Sequence, residues 1–198
     1  LGHEWRSGIH PTLSAPLRSS RWWEGVLRPF QRRAPGVRRV RNLRYGPDRR
    51  YHLLDLYDRP GTPAPLGRPV LIHLHGGGFV QGGKSREALA LVNQLAEHGW
   101  LVVTANYRLR RAAQFPNPLV DTKRVIAWVR AQAGPHVANP DEIFLAGASA
   151  GGHLAVSAAL TPNQERFQPG FETADTSVAG VVCFYPYLGP RNADPASS

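Results

Sequence analysis

One stretch limits the fold more than any other: Leu145-Ala146-Gly147-Ala148-Ser149-Ala150-Gly151-Gly152. The residues just before it, 142–146, form a short apolar run that reads as a buried strand. From Ser149 onward, Ala-Gly-Gly-His-Leu-Ala-Val-Ser-Ala-Ala-Leu has helical composition. Between the two sits G-x-S-x-G. In so tight a strand-to-helix turn the serine takes a strained backbone conformation, and side chains two residues to either side would collide, which is why both flanks are glycine. The turn lifts the Ser149 hydroxyl above the sheet edge, and the helix that follows aims its N-terminal dipole at developing negative charge. Alone this pattern is weak, since small residues recur in strand-to-helix turns.

A second element makes it specific. His75-Gly76-Gly77-Gly78-Phe79 follows the apolar run Val70-Leu71-Ile72-His73-Leu74, so a glycine-rich loop leaves the end of an upstream strand. A phosphate-binding loop fits poorly, because no G-K-[ST] or G-x-G-x-x-G arrangement opens the next helix. A run of glycines lets bare backbone N–H groups approach a substrate oxygen closely, which is what an oxyanion hole requires.

With Asn106-Tyr107-Arg108-Leu109 between these two motifs, the chain from about Tyr51 onward resembles the hormone-sensitive-lipase-like esterases, the α/β-hydrolase fold-3 group. The resemblance implies an α/β-hydrolase fold whose C-terminal strands are missing here. It implies Ser149 as nucleophile, the backbone N–H groups of Gly77, Gly78 and Ala150 as oxyanion hole, and His75 as a brace for the glycine loop through its ring. It also implies small-molecule carboxylic esters with modest acyl chains, hydrolysed through an acyl-enzyme without a cofactor.

The rest of the chain supports that class. Residues 37–45 and 51–57 read as antiparallel strands joined by Gly46-Pro47-Asp48, with Leu54 and Leu56 alternating with Asp55 as on a half-exposed edge. Residues 70–74 and 100–104 read as buried strands, 178–185 as a last strand, and 86–98 and 118–133 as helices. Such alternation argues for an α/β, mostly parallel sheet with helices on both faces, and ligand sites at the carboxyl ends of its strands. Both motifs lie there.

The net charge of +10 is uneven: up to Gly61 there are 13 Arg against 5 acids, and the remainder carries 11 basic and 9 acidic groups. Basicity therefore marks an N-terminal arm, residues 1–36, ahead of a partial α/β-hydrolase domain at 37–198. Within the arm Trp22, Trp23, Val26, Leu27 and Phe30 fall roughly on one helical face among Arg21, Arg28, Arg32 and Arg33, with Pro29 limiting the helix. An ordinary surface helix is the expected reading. A cap over the site and peripheral contact with an anionic membrane are the alternatives. Nucleic-acid binding is not expected, since no recognition module accompanies the arginines. No apolar window of about 18 residues and no signal-peptide core is present. The single Cys183 is expected to be a small core residue and points to no oxidising compartment, so a cytoplasmic location is expected. The absence of methionine, with Leu1 first, suggests that the true start lies upstream or was removed.

A serine hydroxyl needs a base to take its proton and an acid to hold that base. In α/β-hydrolases both follow the serine, acid first. After Ser149 come His153 and the acids Glu165, Glu172, Asp175 and Asp194. His153, one turn along the helix, points down its flank and is expected to be structural. Asp194 is too early to match the family acid. With roughly 30 residues per βα unit, acid and histidine are expected beyond Ser198. The favoured reading is the N-terminal part of an active ester hydrolase; the other is a hydrolase-like scaffold that binds a ligand or partner without turnover. No metal site is expected, because His73 and His75 share a strand face without a third ligand.

Overall fold

The structure, a computed structural model, describes residues 34–136 and 138–188. The expected arm, apart from its last three residues, lies outside them. Three strands form the middle of the sheet: β3 (Arg68–Leu74), β4 (Leu101–Ala105) and β5 (Ala138–Ala148, apolar from Ile143 onward), with β3 parallel to both neighbours. A parallel strand is covered on both faces, so its residues are apolar without alternation. The period of two then divides them between layers. Val70, Ile72, Leu74, Val103 and Leu145 meet one set of helices, and Leu71, Val102 and Ala146 meet another.

On the first side lie α2 (Asn117–His136) and α3 (Ala150–Ala159), contributing Val125, Ile126, Val129, Leu154, Ala155 and Ala158. On the second lies α1 (Leu89–Glu97), contributing Val92 and Ala96. β1 (Arg38–Arg44) and β2 (Leu53–Asp58) add antiparallel strands at one end, and β6 (Gly180–Phe184) adds a parallel one at the other. The strand order is β1-β2-β4-β3-β5-β6. From β3 the chain crosses to β4 on one side and then returns past β3 to β5 on the other. The carboxyl ends of β3 and β5 thus flank a topological switch point, where open α/β sheets bind ligands. Among the described residues no helix is long and apolar enough to cross a membrane.

Two expectations are corrected. Asp55 is not half-exposed but fully buried, because β1 covers β2 and cations converge on the carboxylate. Lys84 Nζ lies 2.7 Å away, Arg39 Nη2 2.5 Å, and the Asn42 N–H donates at 2.8 Å. Burial alone would push this carboxyl up; the bonds from Lys84 and Arg39 outweigh it and hold the group below its ordinary value. Cys183 is exposed rather than core, since no described strand covers the outer flank of β6. A smaller difference concerns α1, which begins at Leu89 rather than near residue 86. Ala88 takes a left-handed conformation with φ 55°, and the preceding residues belong to a loop.

Residues 161–178 are tied down from α2. Arg124 Nη2 donates to the Pro169 carbonyl at 2.8 Å and Arg130 Nη2 to the Ser177 carbonyl at 2.9 Å. Lys123, fully buried, donates to the Thr161 carbonyl and, at 3.0 Å, to Thr176 Oγ1. These acceptors are neutral, and burial lowers the Lys123 amine to about 8 from 10.5. Between those two values the unfolded chain binds the proton more tightly than the folded one. The Lys123-linked stability is therefore full above the unfolded value and is lost as pH falls through about 8. Urea midpoints across this window should rise with pH in the wild type relative to Lys123→Met; parallel profiles would contradict the assignment.

Candidate active site

β5 carries the chain into the serine turn with Ala146 and Gly147 paired to His73 and Leu74 of β3, and Ala148 paired to Phe184 of β6. The direction then reverses into α3. Ser149 is the N-cap of that helix, with φ 51° and ψ −115°, a combination that strains any residue bearing a Cβ. Its N–H donates to the Phe184 carbonyl at 3.0 Å, and its carbonyl accepts from the His153 N–H at 2.9 Å. A Cβ on Gly147 would lie 2.5 Å from the Gly151 oxygen, and one on Gly151 would lie 2.5 Å from the His75 carbonyl and closer still to that of Leu74. The first turn of α3 is therefore pressed against the carboxyl end of β3. That contact brings the serine turn beside the glycine loop.

Hydrogen bonds hold the loop peptide by peptide. The Tyr107 hydroxyl donates to the His75 carbonyl at 2.6 Å, and the Tyr107 ring stacks on the His75 ring with centroids 4.4 Å apart. His75 Nδ1 lies 2.7 Å from the Gly76 carbonyl and so carries the proton it donates there. Burial lowers the pKa of His75, which keeps the rest of the ring neutral. The Gly76 N–H donates to Glu87 Oε2 at 2.8 Å, and the Gly77 carbonyl accepts from the N–H groups of Val80 and Gln81, both at 3.1 Å. In a trans peptide the N–H points opposite the C=O. With the Gly76 and Gly77 carbonyls turned into the protein, the N–H groups of Gly77 and Gly78 point away from those partners and meet no acceptor among the described residues. The Ala150 N–H, first in α3, is in the same condition.

The family model of BD-FAE matches residues 54–191. The chain belongs to the BD-FAE family. It lies among the hormone-sensitive-lipase-like α/β-hydrolase esterases. Over 144 residues it is 44% identical to LipM of Mycobacterium tuberculosis, described as a probable carboxylic ester hydrolase, covering 73% of this chain and 33% of LipM. The esterase LipQ of the same organism is 40% identical over 153 residues, covering 77% of this chain and 36% of LipQ. The chain thus spans about a third of the length of these relatives. Among solved structures, the thermophilic esterase Est2 of Thermogutta terrifontis matches with a TM-score of 0.64 and 28% identity, over 78% of this chain and 54% of that one.

In this BD-FAE member the remaining candidates sort clearly. His153 Nδ1 lies 2.6 Å from the Tyr187 carbonyl, and its ring meets the Phe79 ring edge-on with centroids 6.0 Å apart. No hydrogen bond joins it to the Ser149 hydroxyl. Glu172 and Asp175 accept the Gly170 and Ser177 N–H groups at 2.7 and 2.9 Å, closing turns in a loop. Asp194 lies outside the described residues. Phe79, His153, Leu154, Phe115, Pro118 and Leu119 line an apolar groove of about 120 Å³ beside the two motifs. Among the described residues no three His, Cys, Asp or Glu side chains gather where a metal ion could sit. Sequence reasoning missed Glu87 and the work of Tyr107. Tyr107 carried a signal, its place in Asn106-Tyr107-Arg108-Leu109, whereas Glu87 fell inside an expected helix.

Gly151→Ala should cost more than about 2 kcal/mol, because the new methyl overlaps backbone oxygens that cannot retreat. Gly83→Ala, whose Cβ would meet only Asn106 Oδ1 at 3.7 Å, is the control. Equal urea midpoints for the two variants would contradict the packing described.

Proposed function

We propose that the protein is a serine carboxylic-ester hydrolase that works through an acyl-enzyme on Ser149. The observation that carries this reading is the strained serine beside three backbone donors, those of Gly77, Gly78 and Ala150, that meet no acceptor among the described residues. In the proposed reaction the Ser149 oxygen attacks the ester carbonyl and the new oxyanion accepts hydrogen bonds from these N–H groups. A donor of this kind is worth about 10²–10³ in kcat. The dipole of α3 adds roughly half a positive charge at the same point. The alcohol leaves, and water releases the acid. His75 braces the loop through its ring and takes no part in proton transfer. We assign the base to a histidine C-terminal to the described residues, following the chain order of α/β-hydrolases.

The relatives support the ester class: both mycobacterial proteins are described as ester hydrolases or esterases. Thermogutta terrifontis esterase 2, 25% identical, is known phosphorylated by paraoxon, which makes an organophosphorus probe a fitting test. A fluorophosphonate applied to the protein from its native source should give an adduct on Ser149 by peptide mapping. Ser149→Ala should lose both the adduct and hydrolysis of p-nitrophenyl acetate. Unchanged ester turnover in that variant would refute the nucleophile. An unlabelled wild type would favour a scaffold that binds without turnover.

A further inference from the structure

Glu87 belongs to neither motif, yet its carboxylate lies where the two meet. Its Oε2 accepts the Gly76 N–H at 2.8 Å. A Cβ built on Gly76 would lie 3.4 Å from Glu87 Oε1 and 3.1 Å from the carbonyl oxygen of Ala148, the residue before the serine. The segment presenting it is firmly anchored. Lys84, three residues earlier, binds Asp55 through Nζ at 2.7 Å and Asn42 at 2.9 Å, and its N–H donates to Asn106 Oδ1 at 2.8 Å.

Resting on the serine-hydrolase reading, we propose that Glu87 is a positioning residue for the oxyanion hole: by holding the Gly76 N–H it sets the direction of the Gly77 N–H. The peptide joining His75 to Gly76 is gripped at both ends, its oxygen by the Tyr107 hydroxyl at 2.6 Å and its nitrogen by Glu87 at 2.8 Å. The next peptide carries the Gly77 N–H, and its oxygen is tied to His75 Nδ1 at 2.7 Å. Between the two peptides stands a glycine, whose torsions no side chain restrains. The bonds on either side are therefore what keep the donor aimed. A carboxylate acceptor makes the Glu87 bond about twice as strong as a neutral one.

The charge of Glu87 acts in the opposite sense. A carboxylate near a developing oxyanion disfavours it. Reach and charge therefore give opposite expectations, and three substitutions separate them. Glu87→Gln keeps the acceptor oxygen and the length without the charge. Glu87→Asp keeps the charge but falls one methylene short. Glu87→Ala loses both.

The assay is steady-state hydrolysis of p-nitrophenyl acetate by protein from the native host, with binding of a trifluoromethyl ketone as a mimic of the tetrahedral oxyanion. Glu87→Gln should stay within about threefold of wild type in kcat, while Asp and Ala should fall about 10- to 100-fold with KM little changed. Affinity for the ketone should fall in parallel, because a misaimed donor is missed only where charge develops. Should the Ala variant not fold, the Gln and Asp pair decides. Three variants equal to wild type, an effect confined to KM, or an active Asp beside an inactive Gln would each overturn the proposal. A wild type that neither hydrolyses the ester nor binds the ketone overturns the serine-hydrolase reading and this proposal with it.

Discussion

Everything at the site depends on how closely α3 approaches the end of β3. Only a residue without a side chain lets the backbone at 151 sit against the carbonyls of Leu74 and His75, and only another at 147 lets the helix turn back so soon after β5. Those two absences place a strained serine next to a glycine loop that is more than seventy positions earlier in the chain. The strain at Ser149, of order 1–3 kcal/mol, persists because β3, β5 and β6 hold the strand ends on either side of it.

Around that contact the protein spends its buried charges on fixing loops rather than on chemistry. Asp121 is fully buried and takes the Arg108 guanidinium at 2.6 Å and the His52 ring at 2.9 Å, joining α2 to the loop after β4 and to the start of β2. Burial would raise its carboxyl; His52 and Arg108 outweigh that and hold it below its ordinary value. Asp55 does the same for Arg39 and Lys84. Removing Asp55 would leave the buried Lys84 ammonium uncompensated, the costly half of a buried pair. The glycine loop is thus framed by Lys84 on one side and by Tyr107, neighbour of Arg108, on the other.

Local pattern made much of this legible. Apolar runs of strand length, helical spacing between them, and glycines around a serine are statements about nearby residues, and the observed elements follow them closely. The missing pieces were set by distant partners. Asp55 reads as part of a half-exposed edge because Lys84, which helps bury it, lies 29 positions away. Cys183 sits in an apolar run that reads as core, but its exposure depends on which strand lies at the edge of the sheet. Glu87 has helix-forming neighbours, and only the fold reveals that it lies in the loop before α1, with its carboxylate on the Gly76 N–H. The strand order itself, with β4 between β2 and β3, has no local signature at all.

In the proposed mechanism the N–H groups of Gly77, Gly78 and Ala150 are aimed before any substrate arrives. A crystal structure of the Ser149 organophosphorus adduct, compared with the free protein, tests this most directly. The expected result is a phosphoryl oxygen about 2.7–3.1 Å from the nitrogens of Gly77, Gly78 and Ala150, with the Glu87–Gly76 and Tyr107–His75 bonds unchanged. A phosphoryl oxygen turned elsewhere, or a glycine loop rebuilt around the adduct with the Gly76 N–H released, would contradict it.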